Sequence, residues 1–145
     1  MFLVMPLNTF PRPMASLGDT LIVNVGESRG QAAIELAKNF GSIKLLVQDA
    51  ESIIQGAELG VLEELKGRIE FITHAIFVPQ TIKAPVYFLR MAFRGLGDKY
   101  AVLALKTQIP VLQPGVKILS QDVCMREPGA IPLWRERVSR YVVRC

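Results

Sequence analysis

The chain has 145 residues, room for one ordinary domain or for two only if both were very small. Half of its residues are apolar and 21% are charged, with a mean hydropathy of +0.31, which excludes a disordered or low-complexity protein. The net charge of +4 and pI near 9.3 are spread along the chain, and even the densest basic stretch, Arg135 to Arg144, is interrupted by Glu136, so nucleic acid is not expected as a partner.

Residues 1–15 read as an irregular arm, because Pro6, Pro11 and Pro13 prevent a regular element. Met1 to Leu7 is apolar but has no basic n-region, so a secretory signal is not expected there. The domain is expected over 16–145. Leu21 to Val25 is a short β-branched run ending at Gly26, as a buried strand would be. Gln31 to Phe40 places Ala32, Ile34, Leu36 and Ala37 at helical spacing, with Gly41 as the expected C-cap. Ile43 to Val47 predicts a second strand, and Ala50 to Leu65 a helix weakened by Gly56 and Gly60. Further strands are predicted over Arg68 to Thr73, Val86 to Leu89 and Val116 to Ser120. Helices are predicted over Asp98 to Thr107 and Leu133 to Val143.

Nearly all-apolar strands alternating with helices predict a mostly parallel sheet covered on both faces, an α/β, Rossmann-like fold. Right-handed crossovers then place a ligand at the carboxyl ends of the strands, near the point where the strand order reverses. No apolar run is long enough for a membrane-spanning helix. Cys124 and Cys145 are too few for a disulfide framework, and no Cys/His spacing reads as a metal site, so a reducing, cytoplasmic setting is expected.

The first strand-to-helix turn, Gly26-Glu27-Ser28-Arg29-Gly30, is the first candidate site. Glycines let the backbone approach a ligand, and the following helix offers free amide donors. The loop lacks the G-x-G-x-x-G spacing of a nicotinamide site, and a tight turn without ligand explains it equally well. Asp49 follows the second strand, where a carboxylate can accept ribose hydroxyls; it can also serve as a helix N-cap. Loop and carboxylate together favour a nucleoside site.

Several segments then fall in a recognisable order: Ala15-Ser16-Leu17-Gly18-Asp19, Val23-Asn24-Val25-Gly26, Val47-Gln48-Asp49, Leu62 to Phe71, Asp98-Lys99-Tyr100-Ala101-Val102 and Glu127 to Trp134. Together they resemble the catalytic domain of fungal S-adenosylmethionine-dependent O-methyltransferases, the plant-type class of secondary metabolism, over roughly Ser16 to Arg137. The resemblance implies S-adenosylmethionine or S-adenosylhomocysteine as cofactor, a polyketide-like small molecule as ligand, and Asn24, Gly26, Glu27, Gly30 and Asp49 as cofactor-binding positions. Met91 and Phe93 match substrate-facing positions, with core packing as the alternative.

Three departures from the family pattern fall on these positions. Asn24 stands for an acidic residue and Glu27 for a second glycine, which brings a carboxylate toward the donor's own carboxylate. Ala75 stands for an Asp beside the adenine. Arg94 stands for the His that deprotonates the acceptor hydroxyl, with Gly95 and Leu96 in place of the following Asp and Trp. A guanidinium holds its proton beyond pH ~12 and cannot be a general base, although it can bind a carboxylate or stabilise an enolate. Asp122 matches an acidic position that supports the catalytic His, and reads as a remnant, an N-cap or a partner of Arg94. His74, the only histidine, is a substitute base in one reading and a structural hydrogen-bonding group in the preferred one.

Relatives carry a helical domain for dimerisation and lid before this one, and further strands after it. Against them the chain reads as truncated, with a sheet incomplete at its C-terminal strands. An open edge at Val116 to Ser120 would invite pairing, so a homo- or hetero-oligomer is expected. The leading expectation is a methyltransferase-like protein that no longer methylates by the family mechanism and acts as a cyclase or isomerase. The alternatives are a non-catalytic partner subunit or dimerising pseudoenzyme, an inactive fragment, and a genuine O-methyltransferase.

Overall fold

The computed structural model describes residues 20–122. The expected N-terminal arm, the helix over 133–143 and both cysteines lie outside the described residues. Five strands form one sheet: β1 (Leu21–Val25), β2 (Lys44–Asp49), β3 (Ile69–Thr73), β4 (Val86–Arg90) and β5 (Lys117–Gln121). Their order is β3-β2-β1-β4-β5, and every pairing is parallel. The chain steps outward from β1 to β3 and then returns to the other side of β1. The order therefore reverses between β1 and β4, which makes that crevice the switch point.

Both faces of β1 are buried, and alternation sends its side chains to two different clusters. Ile22 joins Leu45, Val47, Ile69, Val86 and Phe88 under helix α1 (Gln31–Asn39). Val23 and Val25 join Tyr87, Leu89, Ala84 and Val111 on the opposite face. Helix α1 sits close to the sheet because its buried side includes Ala32, Ala33 and Ala37, with Ile34 and Leu36 filling the gaps. Gly30 makes that approach possible. Its φ is +79°, and a Cβ there would lie 2.9 Å from Cε1 of Phe71 in β3.

Two expected elements take a different form. The predicted helix over 50–65 is only α2 (Glu51–Ile54), followed by 3-10 turns at Ala57–Gly60 and Glu63–Leu65. Gly56 at φ +74° turns the chain out of the helix. Ala57, Val61 and Leu65 are nonetheless all buried, so the four-residue spacing reports a packed side without a continuous α-helix. Gly41 is not the C-cap of α1. Phe40 leaves the helix at φ −128° and packs against the first cluster, so burial of its ring ends the helix one residue earlier.

Helix α3 (Asp98–Lys106) buries only Ala104, while Tyr100, Val102, Leu103 and Leu105 are exposed. Its C-terminal end is held by polar groups. Gln80 N–H donates to the Thr107 carbonyl at 2.8 Å, and the Thr107 hydroxyl donates to the Ile76 carbonyl at 2.9 Å. The Gln80 and Gln48 side chains exchange reciprocal hydrogen bonds of 2.7 and 3.1 Å, both fully buried beneath the sheet. No described helix is long and apolar enough to cross a membrane.

Candidate functional site

The loop after β1 is built from left-handed residues. Gly26, Ser28 and Gly30 all have positive φ, at 69°, 68° and 79°. Gly26 N–H donates to the Gln48 carbonyl at 2.7 Å, which pins the loop's start to β2. Asp49, the last residue of β2, pins its middle: Oδ2 accepts from Ser28 N–H and Oδ1 from Ala50 N–H, each at 2.7 Å. The residue capping α2 is Ala50, which forms no side-chain cap, so Asp49 serves the loop as well as the turn that follows it. Each carboxylate oxygen keeps a lone pair after these bonds, enough to accept hydroxyls from a ligand lying over the loop.

Glu27 does not project into solvent. It is 7% exposed, and Oε1 accepts from Ala32 N–H in the first turn of α1. Oε2 is buried without a partner. Loss of solvation pushes the carboxyl up to about 7, and the Asp49 charge pushes the same way. The Ala32 and Ala33 amides and the Arg90 guanidinium, acting through space, pull it back. Arg90, at the end of β4, is thus part of this charge cluster. In the sequence it is only the residue after an apolar strand, and nothing local marks it as facing the loop.

Asn24 is fully buried, and both its Oδ1 and its Nδ2 lack a partner. It pairs with Val47 and Phe88, both members of the cluster under α1, so it lies on the side of the sheet that α1 covers. Two orphaned polar groups, Asn24 and Glu27, therefore stand three residues apart at the root of the same loop.

A second group of candidates lies at the ends of β4 and β5. Asp122 is buried, and its Oδ2 accepts from Phe93 N–H at 2.8 Å. Met91 takes φ +55°, strained for a side-chain-bearing residue, and its N–H donates to the Gln121 carbonyl at 2.7 Å. Together these bonds hold the turn that carries half-buried Arg94. Phe93 packs against the second cluster, in line with the core-packing alternative. His74 stands apart from this turn. Its Nε2 lies 3.2 Å from the Val78 carbonyl, to which a protonated Nε2 donates. The strand order puts three interstrand spacings, about 14 Å, between the ends of β3 and β4.

The carboxyl ends of β1, β2 and β4 thus bring together Gly26, Glu27, Gly30, Asp49 and Arg90, with the Met91–Arg94 turn and Asp122 alongside. A groove of about 440 Å³ lined by Lys83, Pro85, Gln113 and Val116 opens at the amino ends of β4 and β5, the end of a parallel sheet that does not bind ligands. Among the described residues, no cluster of three His, Cys, Asp or Glu could hold a metal.

No family model matches the chain. Among known proteins it is similar to the grayanic acid biosynthesis cluster O-methyltransferase of Cladonia grayi, 38% identical over 88% of this chain and 29% of that protein. O-methyltransferase pyvH of Aspergillus violaceofuscus is 37% identical over 85% of this chain and 29% of its own length. The chain therefore spans a little under a third of the curated relatives it matches. A solved structure described as a pericyclic reaction enzyme superposes with a TM-score of 0.74 at 25% identity, over 96% of this chain and 36% of that one. Human N-acetylserotonin methyltransferase bound to S-adenosylmethionine superposes at 0.73 and 21% identity, over 91% of this chain and 38% of that one, and shows the shared fold.

Proposed function

We propose, from its similarity to fungal O-methyltransferases, that the chain is a methyltransferase-fold protein that converts a polyketide-like small molecule without transferring a methyl group, as a cyclase or isomerase. The observation that carries this reading is Arg94. It takes the place of the base on a turn held by Asp122 and by the strained Met91. A guanidinium carried on that turn is a hydrogen-bond donor and a charge, suited to polarising a carbonyl or stabilising an enolate as it forms. Asp122 is a positioning residue in this scheme, because its carboxylate binds the turn's backbone. Met91 would line the ligand side, Phe93 packs against the second cluster instead, and His74 has no task. The likeness to a pericyclic reaction enzyme supports the reading, since a fold of this kind serves that chemistry elsewhere.

The residues test the fit of S-adenosylmethionine or S-adenosylhomocysteine unevenly. Asp49 beside a left-handed glycine loop suits the nucleoside end. Glu27 at the start of α1 does not suit the amino-acid carboxylate, and neutral Asn24 offers no charge to the ammonium group. No step of the proposed conversion passes through the donor's methyl group.

The curated relatives favour a second reading, O-methylation with a base from outside the described residues. Incubating the protein with metabolite extracts and methyl-labelled S-adenosylmethionine separates the two. A product of unchanged or dehydrated mass, without label and lost in Arg94→Ala, supports conversion. Label in the product rejects it, as does full turnover by Arg94→Ala. We also expect an oligomer, homo- or hetero-, since β5 stands at an edge of the described sheet and α3 leaves an apolar side exposed.

A further inference from the structure

We propose that Glu27 fills, from within the chain, the anion-accepting end of α1, so that the cradle selects a nucleoside whose 5′ substituent carries no carboxylate over one that does. This rests on the reading of the loop and Asp49 as a nucleoside cradle.

A helix that begins directly after a glycine loop presents unpaired amides and the positive end of its dipole. In α1 those amides are Ala32 and Ala33, and no acidic residue lies within the first turn itself. Glu27, four residues before the helix starts, folds back so that Oε1 accepts from Ala32 N–H. The charge that an anionic ligand would bring is already in place. The neighbouring groups do not make room for a second one. Asp49 adds negative charge from β2, and Arg90 from β4 is the one cation among the described residues acting on Glu27. Asn24, where the sheet passes under α1, contributes no charge. A ligand carboxylate entering here would meet Glu27 in a site shielded from water, where like charges repel strongly.

Glu27 Oε2 gives the arrangement a condition. It is buried and has no partner among the described residues. While the carboxyl is ionised, Oε2 repels an anion. Once it is protonated, the same atom is a donor with nothing to donate to, and a ligand carboxylate would satisfy it. Burial holds the proton to about pH 7, with Asp49 raising that value and Arg90 and the α1 amides lowering it. Affinity for a nucleoside that bears a carboxylate should therefore rise as pH falls through about 7, whereas affinity for one without should not change.

The test uses two probes, 5′-methylthioadenosine, which has no amino-acid group, and S-adenosylhomocysteine, which has one. Calorimetry on the full chain at about pH 8 should show methylthioadenosine binding at least roughly tenfold more tightly. Moving to about pH 6 should strengthen S-adenosylhomocysteine binding several-fold and leave the other unchanged. Glu27→Gln, which keeps the shape and an acceptor for Ala32 N–H, should abolish the pH effect, and Glu27→Gly should reverse the preference. If wild type binds both probes equally at each pH, Glu27 does not select and the proposal fails while the cradle stands. If neither probe binds wild type, Glu27→Gln or Glu27→Gly, each folded by circular dichroism, the nucleoside cradle itself is wrong and the proposal falls with it.

Discussion

Burial pushes the Glu27 carboxyl from its ordinary value of 4.5 up to about 7, so the folded protein holds this proton to higher pH than the unfolded chain does. Stability from this group is full below about 4.5 and is lost as pH rises toward about 7. A shift of this size corresponds to at most ~3 kcal/mol. Glu27→Gln should therefore raise the denaturant midpoint at about pH 8 by an amount equivalent to ~2 kcal/mol, and change it little at about pH 5. An unchanged slope of stability with pH would contradict the burial. Gly30 is constrained twice, by φ +79° and by the Phe71 ring 2.9 Å from where a Cβ would sit. Gly30→Ala should cost about 2 kcal/mol in chemical denaturation. The sequence marked both residues as part of a loop with ligand potential. That Glu27 turns inward to Ala32, and that Arg90 comes to face it, depends on contacts between segments far apart in the chain.

The strands and α1 were legible as elements because burial imposes a pattern on them, apolar runs for the parallel strands, most complete in β1 and β4, and helical spacing for α1. The region after Asp49 was less so. Its buried residues keep helical spacing, but Gly56 breaks the backbone, and spacing alone cannot tell an α-helix from consecutive 3-10 turns. The glutamine network left no signal at all, since Gln48 and Gln80 lie 32 residues apart. It ties the segment before β4 to the middle of the sheet. Gln80→Ala removes a partner from the buried Gln48 amide and should cost about 2–4 kcal/mol in thermal or chemical unfolding. Asp122→Ala frees Phe93 N–H at the end of β5 and should cost about 1–2 kcal/mol. It should also speed amide exchange at Phe93, whereas unaltered exchange there would show that the turn is held by other means.

For the whole molecule, the exposed apolar residues of α3 and the place of β5 at an edge of the described sheet predict association. Light scattering should give a mass above the 16.1 kDa of one chain. Replacing Val102→Glu and Leu105→Glu together, three apart on one face of α3, should shift it toward one chain. A single species of one-chain mass at every concentration would rule the oligomer out.

The sequence by itself determined the fold class, the positions of five strands and the glycine-bearing loop after the first of them, because each follows from local composition and hydrophobic period. Through an ordered resemblance it also raised the expectation that Arg94 stands where relatives carry a base. Tertiary structure alone decided how charge is arranged around that loop. Glu27 reaches the start of α1, Asp49 clamps Ser28, and Arg90 arrives from β4, all at the point where the strand order reverses. Electrostatic effects at this site depend on distance and on exclusion of water, and neither is written in the spacing of residues along a chain.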